Sequence, residues 1–179
     1  MVATVIILRK AGSGPTTSNI TSINTRANTT DVHTTADTTA PIQIPTDTAT
    51  KRSYWVVTRL QCTVAPASLI DNIEWYSDGA NSFGTGVACI GNSATTYTQA
   101  TGTTGDTGTA LTTGNYASLT TDPVSVFGFT SGSPKVITGS IGATTGEFAN
   151  SFIYQTTVTS DASPGVTPSE TWTWRFDET

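Results

Sequence analysis

The chain has 179 residues, of which 36% are hydrophobic and only 12% charged, with 40 threonines and 17 serines beside 16 glycines. This is far from the composition that long helices require, and no apolar run reaches the ~18 to 20 residues that span a bilayer, so a mostly helical protein is excluded and no membrane insertion is expected. The formal charge is -5, and the basic pairs Arg9-Lys10 and Lys51-Arg52 are isolated, which argues against nucleic-acid binding through clustered phosphate contacts.

The first apolar run, Met1 to Leu8, precedes Arg9-Lys10, whereas a signal peptide carries its charge first. It predicts a first strand and not a secretion signal. Residues 11–52 then hold almost no aromatic and few large apolar side chains, so they bury little surface alone. They are expected to form an extended Thr-rich arm that orders on assembly, with Ile23 and the Pro-bounded pair Ile42 and Ile44 as its docking points on a partner or as a short edge strand. The predicted organisation is therefore residues 1–52 as strand and arm, and residues 53–179 as the folded domain. The alternative is that Val2 to Leu8 is itself a strand of that domain.

From Ser53 onward, β-branched and aromatic runs recur between turn clusters, without the 3.6-residue period of intervening helices. Period-two alternation places Tyr54, Val56, Leu60, Cys62 and Val64 on one face of a strand, opposite Arg59, Gln61 and Thr63. Asn72 to Tyr76 and Gly86 to Ile90 follow, the first ending near the turn signal Asp78-Gly79, and then a weaker Thr95 to Thr98. Residues 100–115 are low in complexity and predict a mobile surface loop. Val124 to Phe129, Lys135 to Ile141 and Phe148 to Thr159 are β-rich, the last with Phe148, Phe152, Tyr154 and Val158 on one parity. In the closing segment Trp172, Trp174 and Phe176 alternate with polar residues and are expected to anchor the core. Eight or nine antiparallel strands imply an all-β, antiparallel β-sandwich, jelly-roll or immunoglobulin-like, with an extended N-terminal arm. Its expected core comprises Tyr54, Leu60, Trp75, Phe152, Trp172, Trp174 and Phe176, and Trp174→Ala is expected to weaken the domain severely.

Chemistry is sparse. The single histidine, His33, lies in the arm near Asp31 and Asp37, where no packed shell is expected to preorganise a base. Gly128-Phe-Thr-Ser-Gly132 has its serine one position away from that of a nucleophile elbow. Cys62 and Cys89, each within an apolar strand-like stretch, read as small hydrophobes, with a bridge between them left open. One His and two distant Cys make no zinc set, and Asp71, Glu74 and Asp78 lack the spacing of a calcium loop, so no metal or cofactor is expected. Asp71 and Glu74 near Trp75 and Tyr76 could hold a sugar, although alternation puts Trp75 and Ile73 together on the face opposite Glu74 and Tyr76. Asn19-Ile-Thr21 and Asn28-Thr-Thr30 match the glycosylation sequon, as chance allows in so Thr-rich a chain.

With arm and sandwich in view, the chain resembles small structural proteins of tailed bacteriophages. The resemblance rests on Ile23-Asn-Thr-Arg26, Pro41-Ile-Gln-Ile-Pro45, Ser53-Tyr-Trp55, Ile73 to Ser82, Ala162-Ser-Pro-Gly165 and Glu170 to Glu178. It implies a non-enzymatic virion component, made in the host cytoplasm and displayed in many copies as a homo-oligomer. Its expected partner is the major capsid protein or another virion subunit, in the role of capsid decoration (cement) protein. The alternative is a tail or fibre module for host recognition, in which Trp75, Tyr76, Tyr97 and Tyr116 would meet a surface glycan.

Overall fold

A computed structural model describes residues 2–179. The strands are β1 (Thr4–Ala11), β2 (Thr16–Asn19), β3 (Lys51–Arg52), β4 (Val56–Val64), β5 (Leu69–Tyr76), β6 (Val87–Ala94) and β7 (Gly102–Thr103). They continue with β8 (Thr107–Gly108), β9 (Val124–Ser125), β10 (Lys135–Val136), β11 (Ile141–Gly142), β12 (Gly146–Val158) and β13 (Thr173–Glu178). A 3-10 turn, Val126–Gly128, follows β9. All pairings are antiparallel. A seven-stranded sheet runs β2-β1-β4-β12-β6-β9 with β3 also on β12, a four-stranded sheet is built around β5 from β10, β11 and β13, and β7 pairs β8.

The two larger sheets pack face to face as a β-sandwich. Val56, Leu60 and Cys62 of β4 and Phe148, Phe152 and Tyr154 of β12 meet Ile70, Ile73 and Trp75 of β5 between them. β12 keeps its aromatic residues on this face through an irregularity. Phe148 pairs with Leu60 and Phe152 with Thr58, four steps on one strand against two on the other, and Ala149 takes a positive φ of 60° there. The even number of steps returns Phe152 to the inner face.

A second apolar cluster lies on the outer face of the large sheet. Trp55, Val57 and Ile153 project there and are covered by Ala100, Leu111, Tyr116 and Leu119. Within residues 100–115, where composition predicts a mobile surface loop, Ala100, Gly108 and Leu111 are buried against the sheet, while residues 101–105 and 112–115 are exposed. Gln155 fastens the segment: its amide donates to the carbonyls of Ser53 and Thr109 and accepts from the Leu111 N–H. Gly108 permits the close approach, since a Cβ there would fall 2.1 Å from the Ser53 oxygen.

Four expectations change. Tyr54 is buried, yet it belongs to the outer cluster and not with Leu60, because it precedes the β4 ladder and escapes its alternation. Trp172, Trp174 and Phe176 are only half-buried and pack against the margin of the core, because β13 is an edge strand bonded to β5 alone. Residues 1–52 do not stand apart as a unit: β1 pairs with β4 from Thr4↔Val64 to Lys10↔Val57 and lies inside the large sheet. Ile42 and Ile44 are not in a strand.

Candidate functional site

The seven-stranded sheet is wider than the four-stranded one, so part of its inner face is left uncovered. Residues 20–44 of the arm and the segment 162–172 close over that part and leave a cavity of about 780 Å3. Its floor is Ile7 of β1, Thr58 of β4, Val87 of β6 and Tyr154, Thr156 and Val158 of β12. The arm supplies one wall, including Ile23, Ile42 and Ile44, and Trp172 and Trp174 stand on the other. Three arm residues expected to dock on a partner and three residues expected in the core, Trp75, Trp172 and Trp174, therefore meet at one place. Trp75 also lines the cavity, whereas Leu60 and Phe152 lie in the inter-sheet core and Phe176 packs against its margin.

Trp172 organises the far wall. Its ring centroid is 5.4 Å from that of Trp75, 5.8 Å from those of Tyr154 and Phe127, and 6.4 Å from that of Phe83. These tilted and edge contacts suit the ring quadrupoles and hold segment 162–172 against the sandwich.

The arm wall is fixed by polar contacts. Arg9, only 2% exposed, shares the inward parity of Ile7, and its Nη1 donates to Thr25 Oγ1 at 2.7 Å and to the Arg26 carbonyl at 2.8 Å. Its Nε has no partner. Burial lowers the Arg9 pKa, opposed by Tyr154, Asp31 and Tyr97. His33 Nδ1 lies 3.2 Å from Thr25 Oγ1, so the ring joins this network and not a catalytic pair with Asp31 or Asp37. Asp31 instead accepts from the Gly12 N–H. Burial, then the Arg9 charge, lowers the His33 pKa.

Asn28 is also 2% exposed. Its carbonyl accepts from the Tyr54 N–H, but neither Oδ1 nor Nδ2 of its side chain has a partner. Burial at this depth also argues against its sequon being used. Sequence reading marked Asn28 only as a sequon and Arg9 only as half of a basic pair, although Arg9 had a further signal: a cation in register with the apolar face of a strand.

The other candidates disperse. Trp75 and Ile73 point into the core while Glu74 and Tyr76 face outward, where Arg175 pairs with Glu74 at 2.5 Å and lies over the Tyr76 ring at 5.4 Å. Cys62 and Cys89 are buried free thiols; burial raises both pKa values, that of Cys89 to about 12. Among the described residues there is no group of three or more His, Cys, Asp or Glu placed to hold a metal, and no helix long and apolar enough to cross a membrane.

Comparison of the chain with protein-family models, curated proteins and solved structures finds no match.

Proposed function

We propose that this chain is a non-enzymatic virion structural protein, a capsid decoration (cement) protein that binds and stabilises the assembled phage head. The observation that carries this is the way the arm is held. The backbone hydrogen bonds that tie residues 20–50 to the rest of the chain are Ile20 N–H to Ile7, Tyr54 N–H to Asn28 and Gly105 N–H to Thr29. Among the described residues, Pro41 to Thr50 make none to the sandwich. A long segment without a ladder of its own, pinned at its ends by Asn28 and Thr29 and by β3 and resting on a cavity through Ile42 and Ile44 between them, can leave that seat as a loop for a neighbouring subunit at small cost. Backbone pairing or apolar contact with the major capsid protein or another virion subunit then clasps the two together.

The tail or fibre glycan-binding alternative has less to stand on. Trp75 is 1% and Tyr116 0% exposed, so two of its four aromatic candidates offer no face to a sugar. The Tyr97 hydroxyl is engaged by the Gly12 carbonyl.

The test replaces residues 36–50 with a Gly/Ser segment of equal length, which leaves β1, β2 and the Asn28 anchor in place. Wild-type protein added to purified heads lacking it is expected to saturate them and raise their resistance to heat, whereas the replaced protein folds but fails to attach. A replaced protein that saturates heads as well as wild type would refute the role given to the arm.

A further inference from the structure

We propose that the open edge of β2 pairs with the same edge of a second copy of this chain, antiparallel about a two-fold axis through Ser18, so that two large sheets become one. β2 ends the large sheet and bonds to β1 alone. Ile20 N–H donates to the Ile7 carbonyl at 2.8 Å, and the register continues Leu8↔Asn19, Arg9↔Ser18, Lys10↔Thr17 and Ala11↔Thr16. Hydrogen-bonded pairs alternate along an antiparallel ladder, so Thr16, Ser18 and Ile20 turn their backbone groups to β1 while Thr17 and Asn19 turn theirs outward. Among the described residues no other backbone group pairs with these outward N–H and C=O groups, and Thr17 and Asn19 are both exposed.

β13 and β9 are edges too, but guarded ones. β13 carries Arg175, Asp177 and Glu178, and β9 has two residues and follows Pro123. Ala11 to Thr25, by contrast, hold no charged residue in a chain of net charge -5, so two copies meet here without like charges opposed. The way the edge ends selects a second copy as the partner. With Ser18 opposite Ser18 of the second copy, Thr17 of each faces Asn19 of the other, and these two pairs exchange four backbone hydrogen bonds. At the next such position Pro15 faces Thr21 of the second copy. Pro15 has no N–H, and the Thr21 N–H is already taken by Asn19 Oδ1 at 3.0 Å. The pairing therefore stops at both ends with no donor left over, whereas a strand of another protein running past would turn carbonyls to Pro15 and Thr21 that neither can serve. Four bonds on so short an edge make a weak contact in solution, strengthened where copies are held side by side on a common surface.

The inference does not rest on the virion assignment. It is tested on the isolated full-length chain, and a chain that pairs in this way yet leaves capsids bare would fail only the virion assignment. The two-fold axis sets the two Ser18 Cα atoms about 4.5 Å apart, within reach of a disulfide, whereas Thr16 faces Ile20 of the second copy. Ser18→Cys is therefore expected to form linked dimers under mild oxidation about tenfold faster than Thr16→Cys. The native thiols, Cys62 and Cys89, are buried and do not compete. Thr17→Pro removes an outward N–H that β1 does not use, a change that an edge strand tolerates, and is expected to slow the linking of Ser18→Cys about tenfold. Amide signals of β4 in nitrogen-15-labelled protein verify that each variant is folded. In labelled wild type, raising the concentration into the millimolar range is expected to shift the Thr17 and Asn19 amide signals and leave those of β4 in place. The proposal is overturned if Ser18→Cys links no faster than Thr16→Cys, or if adding Thr17→Pro leaves its linking unchanged. It is equally overturned if the Thr17 and Asn19 signals stay fixed as concentration rises, as when copies associate through another face.

Discussion

The indole of Trp75 lies nearly parallel to the ring of Phe152, their centroids 3.7 Å apart and their planes 12° from coplanar. Trp75 is on β5 of the small sheet and Phe152 on β12 of the large one, so this stack fastens the two layers at the centre of the core. It adds about 0.5 to 1.5 kcal/mol to the burial of both rings. Trp75→Ala is therefore expected to cost about 3 to 5 kcal/mol, enough to unfold much of a marginally stable domain. Trp174→Ala, at a half-buried position on an edge strand, is expected to cost less than half as much. Urea unfolding of both variants checks the order; equal losses would contradict it.

Gln155 is fully buried, and its side chain satisfies two carbonyls and one N–H of segments far away in sequence. Gln155→Leu keeps the volume and strands those groups, at an expected cost of about 2 to 4 kcal/mol. In wild type the Leu111 amide should resist hydrogen exchange, and in the variant it should exchange far faster. A Leu111 amide unprotected in wild type would mean that the cover is not held as described.

His33 has a pKa below its usual 6.5 because burial, and then Arg9, disfavour the imidazolium. The unfolded chain thus binds the proton more readily than the folded one. Stability is full above about 6.5 and falls as pH drops from there through the lowered folded value, then levels off. His33→Gln should remove that part of the pH dependence. Stability curves of wild type and variant that run parallel between pH 7 and pH 5 would count against it.

Cys62 and Cys89 are each 1% exposed, and burial raises both thiol pKa values. A thiol reagent at neutral pH should label neither in the folded protein and both after denaturation. Rapid labelling of either thiol under native conditions would contradict the packing around it.

Sequence alternation reads well where one face of a strand is core and the other solvent. β5 is such a strand, and Ile73 and Trp75 against Glu74 and Tyr76 emerge as the parity requires. β4 is buried on both faces, with Val56 in one cluster and Val57 in the other, so a single apolar face is the wrong picture for it. The parity of Trp172, Trp174 and Phe176 was legible but their depth was not, because depth depends on whether another strand lies beyond β13. Residues 100–115 look unpartnered because their partner, Gln155, is polar and distant in the chain. Ile23, Ile42 and Ile44 were expected to dock on a partner; that they line the chain's own cavity depends on the unequal widths of two sheets, which no local pattern records.

The central claim is that this chain decorates a capsid through its arm. Cryo-electron microscopy of the particle tests it most directly. The sandwich is expected as density on the outer shell of the head, with residues 20–50 reaching a neighbouring subunit. Shell density that lacks the chain, or its location on the tail, would contradict the claim.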